Sequence, residues 1–105
     1  MSKPIVVHEA ARLEYLEATT WYEARRQGLG ADLVEALDEA MARVLPTALH
    51  SATVKRGVRI LRVNVRRFPY RLIVADLPDV ALVVAVAHKH RQPDYWESRL
   101  GDPSP

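Results

Sequence analysis

The first half of the chain carries two kinds of hydrophobic pattern. Ile5, Val6 and Val7 form an apolar run between Pro4 and a polar pair, and its length suits one β-strand. From about residue 9 to residue 27, apolar side chains recur every three or four positions, which predicts a helix with acids near its start and arginines near its end. The recurring apolar positions are Leu13, Leu16, Thr20 or Trp21, and Ala24.

A second helix is predicted after Gly28-Leu29-Gly30, because glycine tolerates the positive φ that ends one helix shortly before the next begins. Pro46 ends this second helix. So short a loop places the two helices side by side and antiparallel, and the hairpin needs a further apolar surface to cover its inner face. The apolar positions of the second helix are Leu33, Val34, Leu37, Met41, Val44 and Leu45.

Strand-like alternation replaces the helical period after residue 60. Leu61, Val63 and Val65 alternate with polar residues, which predicts a strand with its apolar side on the helices and a basic side facing water. Residues 70–76 form the next strand, which returns antiparallel. Residues 81–87 are apolar at every position, as in a central strand that is covered on both faces. Residues 93–97 predict a short helical turn.

These elements predict an α+β fold: a short N-terminal strand, an αα-hairpin, a three-stranded antiparallel meander packed on the helices, and a short C-terminal helical turn. At 105 residues the chain suits a single domain, which we place at residues 1–100. Residues 101–105 are expected to form a disordered tail.

Charge is divided unevenly along the chain. Residues 1–54 carry five Lys or Arg against eight acids, and residues 55–105 carry ten against five, so net charges of −3 and +5 underlie the overall +2. The basic half ends in a polar cluster over residues 88–96, where two histidines and a tyrosine accompany arginine. Side chains of these types can hold a phosphate backbone, and they include groups able to cleave one.

The sequence also argues against several classes of protein. Cysteine is absent, which excludes disulfides and thiolate chemistry. We expect no metal or other cofactor, because His50, His88 and His90 have neither a paired carboxylate nearby in sequence nor a helical His-x-x-x-His spacing. There is no run of about 18 apolar residues and no basic-then-apolar start, so we expect a cytoplasmic protein without a membrane partner.

Several segments taken together resemble one known superfamily. In the second half they are a basic strand at residues 61–64, a Tyr-Arg strand at 70–74, a buried strand ending in His-Lys-His-Arg at 84–91, and Pro-Asp-Tyr-Trp at 93–96. In the helical half they are residues 21–23, 28–30 and 33–37. Over residues 5 to about 99, their order and spacing resemble the RelE/ParE superfamily of bacterial toxins, and in particular its ParE-like, plasmid-stabilisation members.

The resemblance implies the toxin of a type II toxin–antitoxin system, neutralised by a cognate antitoxin. ParE-like members block DNA gyrase and cut nothing, and this is the function that we expect. RelE-like members instead cut messenger RNA on the ribosome, which is the first alternative; a non-toxic basic domain that binds nucleic acid is the second. The resemblance also implies that the antitoxin wraps the sheet edge and the helix hairpin, and an acidic antitoxin segment is attracted to the basic strands.

Under the RelE-like alternative, the resemblance assigns catalysis to four matching positions and one substitute. The matches are Arg62 for the first strand lysine, Arg71 for the arginine of the Tyr-Arg strand, Arg91 for the arginine after the last strand, and Tyr95 for the terminal tyrosine. Asn64 departs from the pattern, because it replaces a second lysine and neither donates a proton as an acid nor neutralises phosphate. His88 or His90 is the candidate substitute, with His88 placed in the catalytic set, since imidazole titrates near neutral pH.

Phosphate binding is expected of a wider set of side chains, namely Arg62, Arg66, Arg71, Lys89, His90 and Arg91. The plainer interpretation of alternating arginines is the solvated side of a sheet. Tyr95 and Trp96 are equally consistent with packing the last turn onto the sheet. We expect Trp21 to lie in the core.

Overall fold

The elements occur in the predicted order. In the computed structural model, which describes residues 3–101, the helices and strands are β1 (Ile5–Val7), α1 (Glu9–Arg25), α2 (Leu29–Ala42), β2 (Ala52–Lys55), β3 (Val58–Asn64), β4 (Tyr70–Asp76) and β5 (Ala81–His88). Two short 3₁₀ helices lie at Thr47–Leu49 and Glu97–Gly101.

The strands form one sheet in the order β1-β5-β4-β3-β2, in which β2 to β5 are antiparallel neighbours and β1 is parallel to β5. The predicted α+β fold is confirmed. The edge strand β2 was not predicted, because its residues are mostly exposed and show no apolar alternation. It joins β3 through Arg56 and Gly57, which both have positive φ (53° and 77°), as two-residue hairpin turns require.

One face of the sheet packs on the helix hairpin. The alternating residues Leu61, Val63 and Val65 are buried there with Leu33 and Leu37 of α2, so the predicted apolar side is confirmed. The strand β5 is buried along most of its length, as its unbroken apolar sequence predicts.

The face of α1 that contacts the sheet differs from the prediction. Ala11 and Ala18 are buried, whereas Leu13 and Leu16 are 50% and 44% exposed. Trp21 is 51% exposed, so its expected place in the core is wrong. Small alanine side chains let α1 approach the sheet closely, with Tyr15 and Tyr22 packed beside them against the core. Leu13 and Leu16 lie away from this face.

The turn between the helices depends on its two glycines. Gly28 has φ 89°, in the left-handed region that favours glycine. A Cβ on Gly30 would lie 2.8 Å from the carbonyl oxygen of Thr19, so a side chain there would force the helices apart. The Glu23 carboxylate accepts the N–H groups of Gly28 at 3.1 Å and of Gly30 at 3.0 Å, which caps the start of α2.

The C-terminal segment covers the opposite face of the sheet, where a second hydrophobic cluster contains Ile60, Ile73 and the 3% exposed Trp96. The basic side of β3 is therefore only partly open to water, which corrects the expectation that it faces solvent. Residues 93–96 form a non-helical turn, and the helical turn expected at 93–97 instead begins at Glu97. Gly101 ends that turn, and the rest of the expected tail, 102–105, lies outside the described residues.

Candidate anion-binding site

A cavity of about 180 Å³ lies at the end of β5, between the C-terminal segment and the face of β3 and β4 that this segment partly covers. Arg62 of β3 pairs with Ile73 of β4, which lies two positions from Arg71. Side chains two positions apart in a strand point to the same face, so Arg62 and Arg71 lie on one face of the sheet. Six of the predicted site residues line the cavity, which we call the cation cavity: Arg62, Arg71, His88, Lys89, Arg91 and Tyr95.

Two predicted residues lie elsewhere. Arg66 follows β3 and pairs with Glu39 of α2, with its Nη1 3.0 Å from Oε1, on the hairpin side of the molecule. His90 lies beside the cavity without lining it, and its ring centroid is 5.3 Å from that of His88. The predicted phosphate-binding set is therefore only partly brought together.

Arg62 is held in place by contacts on the edge strand and the C-terminal turn. Its Nη1 donates to the Thr53 hydroxyl at 2.7 Å, and its Nη2 lies 3.8 Å from the Asp94 carboxylate. The guanidinium carbon lies 5.8 Å from the centroid of the Trp96 ring. Asp94 has a positive φ of 63° and accepts a 2.9 Å bond from Lys55 Nζ. The cavity thus contains one carboxylate among its cations, and Lys55 neutralises it.

Tyr95 is tied to a residue that the sequence did not single out. Its hydroxyl donates to Glu14 Oε2 at 2.7 Å, and Arg99 donates to both oxygens of the same carboxylate at 3.0 Å each. The Val86 N–H donates to Glu14 Oε1 at 3.0 Å. The carboxylate of Glu14, whose side chain is 13% exposed, therefore joins α1, β5 and the C-terminal turn.

These contacts restrict Tyr95 as a proton donor. Burial, together with the bond to Glu14, raises the pKa of Tyr95 above its ordinary value of 10.0. Its ring is also covered by Arg91, whose guanidinium carbon lies 4.0 Å from the ring centroid. A phenol whose proton already bonds to a carboxylate, and whose pKa is raised, is a poor acid for a leaving oxygen at neutral pH.

His88 has one ring nitrogen occupied. The N–H of His90 donates to His88 Nδ1 at 3.1 Å, so the neutral ring carries its proton on Nε2 and acts there as a donor. In this arrangement His88 accepts a proton on Nδ1 only when the bond from the His90 N–H opens. Asn64 is exposed and uses its backbone carbonyl to accept a 2.6 Å bond from Arg43 Nη2. The side chain of Asn64 cannot supply the missing acid or base.

Across residues 3–101, the structure contains no group of three or more His, Asp or Glu side chains arranged to hold a metal ion. The helices within the same range are too short or too polar to cross a membrane.

The hydrogen bond between Tyr95 and Glu14 predicts that the folded state loses stability at alkaline pH. Because the folded state raises the pKa of Tyr95 above 10.0, the unfolded chain loses this proton first. Stability from Tyr95 is fully present below pH 10 and is lost as pH rises towards the raised pKa. We expect the urea concentration at the unfolding midpoint to fall less between pH 9 and about 11 in Tyr95→Phe than in the unaltered chain. An equally steep fall in the variant would contradict a stabilising role of the Tyr95–Glu14 hydrogen bond.

Comparison with known proteins adds no relative from which a function could be transferred. No family model matches the sequence, and no curated protein matches it at a significant level.

Proposed function

We propose that this chain is the toxin of a type II toxin–antitoxin system, which arrests growth by blocking DNA gyrase and cuts no nucleic acid. The order of elements and the quoted segments resemble ParE-like toxins, and the cation cavity supplies a surface for the phosphate backbone of the DNA that gyrase holds. A cognate antitoxin neutralises the toxin.

The main support for the proposal is that the groups of the cation cavity able to transfer a proton are already hydrogen-bonded or ion-paired. Cleavage of RNA through its 2′-hydroxyl requires one group to accept a proton and another to donate one. Tyr95 bonds to Glu14, His88 Nδ1 accepts the His90 N–H, and Asp94 is paired with Lys55. The cavity therefore favours binding of an anion over cutting of a phosphodiester.

One observation favours the endoribonuclease as a second candidate. The four residues that match RelE-like positions, although separated by up to 33 positions in sequence, all line the same cavity: Arg62, Arg71, Arg91 and Tyr95. Three of them are cations able to stabilise extra charge on phosphorus. This activity requires the bond between Tyr95 and Glu14 to open when RNA binds.

The antitoxin is proposed to place an acidic segment on the basic half of the molecule. Arg56, Arg66 and Arg67 have side chains that are 54%, 70% and 65% exposed, so they remain accessible to a partner despite their internal ion pairs. Charge attraction of this kind raises the association rate and falls with salt. Copurification with the product of the neighbouring gene tests the pairing, and the absence of a complex would contradict it.

Induced expression in a bacterial host tests the proposed activity. The expected result is growth arrest with filamentation and a DNA-damage response, while messenger RNA remains intact. Rapid loss of translation with messenger cut at codon positions would instead establish the endoribonuclease. Unaffected growth would reject both activities and favour a non-toxic nucleic-acid-binding domain.

A further inference from the structure

A groove of about 410 Å³ lies between α1 and β5, on the other side of His88 from the interior of the cation cavity. Four rings line it, those of Trp21, Tyr22, Tyr70 and His88. We call it the aromatic groove. It is a separate feature from the cation cavity, although His88 and Arg91 line both.

The groove exists because β1 is short. Its three residues pair only with the first three residues of β5, from Ala81 to Val83. The chain then leaves the sheet edge to enter α1. From Val84 onward, side chains take the place of a neighbouring strand: the Val84 carbonyl accepts from Arg99 at 2.9 Å, and the Val86 N–H donates to Glu14. These side chains fill less space than a strand would, and the groove remains between α1 and the end of β5.

The aromatic rings form a continuous series across the groove. Trp21 and Tyr22 have centroids 4.9 Å apart, Tyr22 and Tyr70 6.3 Å, and Tyr70 and His88 5.2 Å. His90 continues the series at 5.3 Å from His88. Trp21, at the α1 end, is half exposed, although burial of an indole is strongly favourable. The neighbouring rings meet edge to face, with interplanar angles of 80°, 69° and 84°. The Arg25 guanidinium lies over the Trp21 ring, so a base stacks on this half-exposed ring when Arg25 turns from the ring to a phosphate.

Cations lie at both ends of the series. The guanidinium carbon of Arg25 lies 4.1 Å from the centroid of the Trp21 ring, and Arg91 lines the groove at the opposite end. Two acids line the groove. Glu14 pairs with Arg99 at 3.0 Å and more loosely with Arg91 Nη1 at 3.9 Å, which leaves Glu17 as the second acid. Adjacent Lys89 is exposed and adds to the positive end. The groove thus complements a polyanion that also carries flat rings.

We propose that the aromatic groove binds single-stranded nucleic acid, whose bases stack on Trp21 and the neighbouring rings while its phosphates contact Arg25 and Arg91. Exposed aromatic rings interleaved with cations are the features that single-strand-binding surfaces share, because every base has a face that can stack. A duplex is expected to bind more weakly, because its bases are already stacked on one another and only its phosphates reach the cations. Such binding does not depend on whether the chain arrests growth.

Anisotropy of labelled oligonucleotides of about 12 residues tests this binding with the full chain, using oligo-dT, oligo-U and a duplex of the same length. Both single strands are expected to bind more tightly than the duplex, and a preference for one of them assigns the site to DNA or RNA. Trp21→Ala should weaken binding about tenfold, the usual loss for one stacked base. Tryptophan emission should also be quenched on binding, because Trp21 is exposed while Trp96 is buried.

Matched variants separate the groove from other surfaces. Leu16→Ala removes a similarly exposed apolar side chain of α1 outside the groove and should leave affinity unchanged. Glu17→Gln should tighten binding. Arg25→Ala should reduce the slope of log affinity against log salt concentration by about one, as expected for the loss of one phosphate contact. Equal affinities for Trp21→Ala and Leu16→Ala, or a loss confined to Arg71→Ala in the cation cavity, would overturn the proposal.

Discussion

Replacing Glu14 by alanine is expected to lower the free energy of unfolding by about 3 kcal/mol, as expected when one partner of a largely buried ion pair is removed. The substitution leaves the Arg99 guanidinium, whose side chain is 18% exposed, without its carboxylate. It also removes the acceptor for the Tyr95 hydroxyl and the Val86 N–H. Urea denaturation followed by circular dichroism measures the loss.

Two variants show whether the loss comes from this ion pair. Glu17→Ala removes an exposed carboxylate from the same helix and should change stability by less than about 0.5 kcal/mol. Combining Glu14→Gln with Arg99→Met removes both charges, so it should cost less than Glu14→Ala alone. A loss below about 1 kcal/mol for Glu14→Ala would show that the carboxylate does not hold the C-terminal turn.

Replacing both Arg71 and Arg91 by alanine is expected to abolish growth arrest on induced expression. These two cations line the cation cavity, and each bond to a charged phosphate is worth roughly 1.5–3 kcal/mol, so their joint loss weakens anion binding by at least about 100-fold. Colony counts after induction measure the effect. The fold should persist, because Arg91 is exposed and Arg71 is only half-buried.

The matched control is Arg66→Ala with Arg67→Ala, which removes the same charge from the β3–β4 turn outside the cavity. This control should still arrest growth. Tyr95→Phe combined with His88→Gln should arrest growth as well, since the proposed activity requires no proton transfer. Arrest that survives the Arg71 and Arg91 substitutions would place the activity elsewhere, for example on the helix hairpin.

Sequence periodicity predicted the two helices and the three long strands. In α2 and in the strands, the regular apolar repeat is also the part that is buried. It failed on the face of α1. Leu13 and Leu16 are more apolar than Ala11 and Ala18, yet the alanines are buried. Close approach of helix to sheet outweighed side-chain hydrophobicity there. The edge strand β2 lacks such a repeat, since its pairing with β3 and a tight turn define it.

The candidate site was predictable in part. Arg62, Arg71, Arg91 and Tyr95 were identified by resemblance, and the antiparallel register brings them to one cavity. Glu14 gave no signal, because it contacts residues 81 and 85 positions later in the sequence, and no local pattern reports such a pairing. The hydrogen bond of the Tyr95 hydroxyl depends on Glu14, so that bond could not be predicted either.

Purified chain tested against DNA gyrase and against a translating ribosome gives the most direct test of the central claim. The two assays are supercoiling of relaxed plasmid and integrity of a messenger during translation. We predict that supercoiling is inhibited while the messenger stays intact, and that Tyr95→Phe behaves like the unaltered chain. Cleavage of the messenger with unimpaired supercoiling, lost in Tyr95→Phe, would contradict the account.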